Sequence, residues 1–169
     1  PVSFAYGISV VLSGMPAWAA VLISLTNLTS AGQFAGSSLM LAGGGYLEIA
    51  LTTVIINIRY FLMSLALSQK VDEKMTGVQR LLVSFGITDE IFAVSMQNGR
   101  KLTASYLAGL ILTPMIGWTG GTLAGGILTS FLPTIVTNAL SIALYGMFIA
   151  VIIPPSRKKK SVLFTVLFA

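Results

Sequence analysis

The stretch Gly86-Ile87-Thr88-Asp89-Glu90-Ile91-Phe92 decides how the rest of this chain is read. Two adjacent carboxylates stand there between the apolar runs Leu81-Leu82-Val83 and Ile91-Phe92-Ala93-Val94. An ionised carboxylate is costly in hydrocarbon, so acids inside a membrane face a cavity or a partner. The local pattern also fits an amphipathic helix over residues 81–98 lying on a membrane surface, with both acids in water. The surrounding sequence separates the two readings.

Mean hydropathy is +0.90, charged residues make up 9% and hydrophobic residues 55%. A soluble domain is about a quarter charged. Apolar runs long enough for a bilayer core of about 30 Å recur along the chain, and they do not alternate with polar residues as barrel strands do. The composition therefore predicts an all-α polytopic membrane protein. With no cysteine and no histidine, thiol chemistry, disulfides, His-based metal sites and His acid–base catalysis are excluded. An enzyme is not expected, and neither is a metal or other cofactor. The net charge of +5 does not read as a nucleic-acid surface, because four cations form the run Arg157-Lys158-Lys159-Lys160, a cytoplasmic anchor by the Lys/Arg bias of membrane loops.

Outward from the central stretch, residues 46–68 form the cleanest spanning segment, yet contain Glu48, Asn57 and Arg59. Glu48 is near an end and reads as interfacial. Arg59 is nine residues from the far end, roughly 13 Å deep, where it either snorkels or meets an acid inside the bundle. Asp89 falls at a similar depth, so pairing of Arg59 with the acidic residues is expected. Residues 16–44 are longer than a crossing needs, with a polar middle around Asn27, Thr29, Ser30 and Gln33, which predicts a broken helix whose freed backbone lines a cavity. Gly32 and Gly36 fit plain helix packing equally well, and Gln33 either lines a site or packs. Residues 102–131 make a second overlong, glycine-rich segment with Pro114 as a kink. The run Gly43-Gly44-Gly45 makes a tight turn, and residues 69–80 a charged aqueous loop.

The two halves share an order: a short helix (with Gly7-Ile8-Ser9 or Gly86-Ile87-Thr88), an overlong glycine-rich helix, then a spanning helix with Asn57 or Asn138. Residues 1–68 and 81–155 are accordingly expected to be transmembrane repeats, joined by the loop at 69–80. Residues 156–169 hold the basic loop and the start of a further helix, and the chain reads as incomplete at both ends. Three crossings per half make the repeats inverted, with the N-terminus, Arg100-Lys101 and Arg157–Lys160 inside and Lys70–Arg80 outside. Inverted repeats with interrupted helices are the architecture of secondary transporters, whose sites lie near the midplane. Gly7, Ser9, Gln33, Asn57, Arg59, Gly86 and Thr88 are the candidate substrate-binding residues, and Asp89 and Glu90 the candidate proton-coupling pair. Asp89 is favoured as the coupling residue because it directly follows the Gly86–Thr88 break.

Ser30-Ala31-Gly32-Gln33-Phe34, Asn57-Ile58-Arg59-Tyr60 and Gly86-Ile87-Thr88-Asp89-Glu90-Ile91-Phe92, in this order, resemble the AzlC-type branched-chain amino acid permeases, the large subunits of bacterial two-component amino acid exporters. The resemblance extends over essentially the whole chain, and the small-residue spacing before Gln33 departs from the pattern. It implies export of neutral amino acids such as valine, leucine or isoleucine, with a small hydrophobic AzlD-type partner subunit; the expected location is the bacterial inner membrane, and coupling to protons is expected through Asp89. An ion channel and a non-transporting scaffold subunit are the alternatives. A channel would show a repeated ring of filter residues, and a scaffold would gain nothing from Arg59 and Asp89.

Overall fold

The computed structural model describes residues 2–133 and, singly, residues 135, 136, 139 and 142. Most of the expected spanning helix at 133–153, Asn138 included, lies outside that set, as do the basic run Arg157–Lys160 and the helix from Ser161. Seven helices occur among the described residues: α1 (Val2–Leu12), α2 (Ala17–Thr26), α3 (Ser30–Leu41), α4 (Tyr46–Ser68), α5 (Gly77–Phe85), α6 (Asp89–Gln97) and α7 (Ala104–Leu128). Among the described residues only α4 and α7, of 23 and 25 residues, are long and apolar enough to cross a membrane.

The remaining helices are too short, and four of them form two hairpins. Residues 16–44 break at 27–29, as expected, but the chain then reverses instead of continuing. Ser24 and Gln33, placed almost evenly about the break, are hydrogen-bonded to each other at 2.5 Å. Had α3 continued along α2, about seven helical residues and a short extended link would hold them some 20 Å apart. The second hairpin is α5–α6. Each arm has nine residues, about 13 Å of rise, and both ends come back to the same place. Leu102 bonds Lys70 O at 3.0 Å, Asp72 N bonds Leu102 O at 2.9 Å, and Lys101 meets Glu73 at 2.5 Å. Lys70 Nζ also donates to the carbonyls of Ser95 and Met96, at the end of α6.

This corrects the expected topology. The loops around Lys70 and Lys101 share one end of the bundle, so residues 77–97 enter part-way and return. A crossing there would have separated the two loops by a full helix pair. The charged loop is also shorter than expected, because Gly77–Arg80 are already helical. Thr76 starts that helix early through a capping box, its hydroxyl accepting from Gln79 N and Gln79 Oε1 accepting from Thr76 N.

Two further expectations are revised. Gly7 is not at a break; it lies inside α1, where the α7 backbone at Thr122 and Gly126 fills the space of a side chain. Gly86 is the residue that ends a helix, as the C-cap of α5. Helix α7 in turn runs unbroken through Pro114 and its glycines. The proline removes one backbone bond, which long apolar helices tolerate, and Gly121 and Gly125 serve as contact surface against Ser3 and Phe4 of α1. Small residues let these two helices approach to backbone contact.

The contacts set each direction. Gly32 faces Asn57 and Gly36 faces Thr53, so α3 and α4 are antiparallel and the two glycines are packing residues. Their connection is a tight turn in which Gly43 takes φ +75°, Gly43 N bonds Met40 O and Gly44 N bonds Leu39 O. This Schellman closure needs a residue free to adopt the left-handed region. Leu67, Leu102, Leu107, Ile111 and Ile91 cluster where the end of α4 meets the start of α7. Tyr6, Val10, Met15 and Ala20 cluster towards the opposite end, with Phe34 edge-on to Tyr6. Hairpin α2–α3 thus enters from the end of the bundle where α4 begins, and α5–α6 from the end where α4 finishes. Along α4, Leu47, Leu51, Val54, Ile55, Ile58, Phe61, Leu62 and Leu65 are 53–74% exposed. A continuous apolar face of this kind suits lipid and not water.

Candidate functional site

The two hairpin tips meet a cavity of about 200 Å³ beside the middle of α7. The first tip contributes Leu28 and Ser30, the second Thr88, Asp89, Glu90 and Ile91. Tyr60 of α4 and Ile111, Pro114, Met115 and Trp118 of α7 complete the wall. The lining is largely apolar with a few polar groups converging from the tips, the usual make-up of a small-solute site.

Local chemistry places each polar group. Gly86 is the C-cap of α5, and Ile111 occupies the position a side chain there would need. Thr88 then opens α6, its hydroxyl accepting from Ile91 N at 3.4 Å. Asp89 and Glu90 follow in the first turn, where carboxylates are favoured by the helix dipole. Thr29 sits in the same place before α3 but does not cap it; its hydroxyl donates to Asn27 Oδ1 at 2.6 Å instead. The first-turn N–H groups of α3 are thus without a side-chain cap beside Ser30.

Arg59 Nη2 lies 2.9 Å from Asp89 Oδ2, with both side chains a little under half exposed. The guanidinium also stacks against the Tyr60 ring, 5.1 Å from its centre. The neutralisation expected from the equal depth of these residues is therefore made by Asp89. Glu90 lines the cavity and makes no ion pair among the described residues.

The other expected site residues fall elsewhere. Gly7 is on the α1–α7 contact and Ser9 on α1, and neither lines the cavity. Asn57 lies flat against Gly32, where a methyl group would be 2.5 Å from its Nδ2; its buried Oδ1 has no partner among the described residues. Gln33 is 1% exposed and sits behind Trp118, accepting from the indole Nε1 at 2.9 Å. Tyr60, Trp118, Ser30 and Met115 line the cavity but were not among the candidate site residues expected from the sequence. Trp118 carried a signal, as the one bulky aromatic inside Gly117-Trp118-Thr119-Gly120-Gly121.

Two long apolar helices, two part-way hairpins and a cavity where their tips meet define an all-helical membrane protein of transporter type. The chain belongs to the AzlC family: the family model described as AzlC protein matches residues 1–132. It is 25% identical to the inner membrane protein YgaZ of Escherichia coli (strain K12), over 98% of this chain and 70% of that protein. It is 29% identical to an uncharacterized membrane protein of Archaeoglobus fulgidus, over 91% of this chain and 68% of that one. No solved structure matches the chain.

Proposed function

We propose that this protein is a multi-pass secondary transporter subunit of the bacterial inner membrane that exports small neutral amino acids through the cavity at the hairpin tips. The observation that carries the reading is the convergence of two helix breaks, from opposite ends of the bundle, on one small cavity with acidic and apolar walls. The groups there suit a zwitterion. Uncapped N–H groups at the start of α3 suit a carboxylate, Glu90 suits an ammonium, and Ile111, Met115 and Trp118 suit a branched side chain. Since Arg59 already neutralises Asp89, Glu90 is left to bind a cation from outside, either the substrate ammonium or the coupling proton. A small hydrophobic AzlD-type subunit completes the transporter.

The inverted repeat belongs to this proposal in a new register. Residues 17–68 and 77–128 each consist of a hairpin followed by a spanning helix, and each break ends on a threonine, Thr29 or Thr88. The hairpins enter from opposite ends, as inverted units do.

Counterflow of radiolabelled valine and leucine into proteoliposomes, with and without the small subunit, tests the function. Saturable uptake against unlabelled amino acid, weakened by Glu90→Gln, is the expected result. Single-channel current without saturable counterflow would establish the channel reading in its place.

A further inference from the structure

Gln33 belongs to a closed circuit of hydrogen bonds that joins three helices. Its Nε2 donates to Ser24 Oγ at 2.5 Å, and its Oε1 accepts from Trp118 Nε1 at 2.9 Å. Ser24 Oγ is 2.6 Å from Thr122 Oγ1, which donates to Trp118 O at 3.1 Å. Only one assignment of hydrogens satisfies every link. An indole is a donor only, so the amide oxygen must face Trp118 and the amide nitrogen Ser24. Ser24 then donates to Thr122, whose own hydrogen is committed to the Trp118 carbonyl. Ser24, Gln33 and Thr122 are each at most 1% exposed. A circuit this dry fixes its members, because breaking one link leaves a buried polar group unpaired. The free face of the arrangement is the indole, which lines the cavity beside Met115 and Pro114.

We propose that Gln33 is a positioning residue: its amide holds the Trp118 indole in place as a wall of the cavity, and that wall sets how large an apolar side chain the site admits. The specificity half rests on the transport reading above; the positioning half does not. Gln33 does not line the cavity and acts only through Trp118.

The sequence has two tryptophans, Trp18 and Trp118, so Trp18→Phe leaves Trp118 as its sole reporter. Purified protein in that background is compared with Gln33→Met, which keeps the length of the side chain and loses both hydrogen bonds. Acrylamide quenching of Trp118 without solute should rise at least two-fold. In vesicles, KM for leucine should rise about 3- to 10-fold, the worth of about one neutral hydrogen bond, with Vmax little changed. Phenylalanine should become a better competitor of leucine uptake. Trp118→Phe, which keeps a ring at the wall but has no N–H, guards against a misfolded Gln33 variant. It should shift the leucine-to-phenylalanine preference by itself, and adding Gln33→Met to it should change KM no further.

Unchanged quenching in Gln33→Met overturns the positioning role. Altered quenching with an unaltered preference overturns the wall. If unsubstituted protein moves neither amino acid, the transport reading fails and the specificity half with it, while quenching still decides whether Gln33 holds the indole.

Discussion

Replacing Arg59 by alanine removes the cation beside Asp89, and the size of the effect follows from the geometry of the pair. Arg59 is nine residues from the end of a 23-residue helix, about 13 Å from that end, so water alone does not satisfy an abandoned carboxylate there. At an effective dielectric of about 20, unit charges about 4 Å apart attract by about 4 kcal/mol. An exposed surface pair contributes only about 0.2–1 kcal/mol. The two side chains are 46% and 45% exposed, which puts the Arg59–Asp89 coupling between these limits, at about 1–3 kcal/mol. Arg59→Ala is therefore expected to destabilise the protein more than the double variant Arg59→Ala with Asp89→Asn. The assay is a double-mutant cycle by reversible detergent-driven unfolding of the reconstituted protein. Glu90→Gln supplies the control: it makes no ion pair with Arg59 and should add to Arg59→Ala within about 0.5 kcal/mol. Additive behaviour of Arg59→Ala with Asp89→Asn, or coupling to Glu90 in its place, would refute the pairing.

Three further outcomes follow from the same structure. Single cysteines at Asp72 and Lys101, in a chain that has none of its own, should label from the same side of the membrane and a cysteine at Gly43 from the other; labelling of Asp72 and Lys101 from opposite sides would dissolve the α5–α6 hairpin. Gly125→Ala places a methyl group on the backbone carbonyl of Phe4, and overpacking of this kind should cost about 1–3 kcal/mol in the same unfolding assay, whereas Gly120→Ala, which meets open space, should not. The Glu73–Lys101 clasp is limited to a pH window. Its hydrogen bond and charge pairing hold Glu73 below its ordinary value of 4.5 and Lys101 above 10.5. The Glu73 contribution is present above about 4.5 and lost as pH falls through its lowered value; the Lys101 contribution is present below 10.5 and lost as pH rises through its raised one. Protection factors of the Asp72 and Leu102 amides, which divide out the intrinsic pH dependence of exchange, should fall towards both extremes, by a small factor because the pair is exposed.

Much of this protein was legible along the chain because hydropathy, glycine and charge act locally. The spanning segment at 46–68 is bounded by Gly43-Gly44-Gly45 and by Gln69-Lys70, and α4 begins and ends at the expected residues. A break in 16–44, a break at Gly86–Thr88 and an encounter of Arg59 with an acid all followed from the cost of polar groups in hydrocarbon. The family resemblance, carried on the motifs around Gln33, Arg59 and Asp89, is matched by the family model over residues 1–132.

Tertiary structure alone decided what the breaks do. A polar, glycine-bearing interruption reads the same whether the second helix continues or turns back. The choice was made by long-range contacts: Gln33 on Ser24 at one tip, and Lys70 on Ser95 and Met96 at the mouth of the other hairpin. The same holds for glycine. Gly7 and Gly86 look alike in sequence, but a glycine ends a helix only where nothing favours its continuation. Thr122 and Gly126 pack against Gly7 within α1, whereas Gly86 is followed by a threonine that starts α6 afresh. Trp118 became part of the site because the α2–α3 hairpin folds back against α7, bringing Gln33 of α3 and Trp118, 85 positions apart, into one hydrogen bond. Periodicity reports which side of a helix is apolar; which partner that side meets is settled by chain reversal, and chain reversal is written in contacts between residues far apart in sequence.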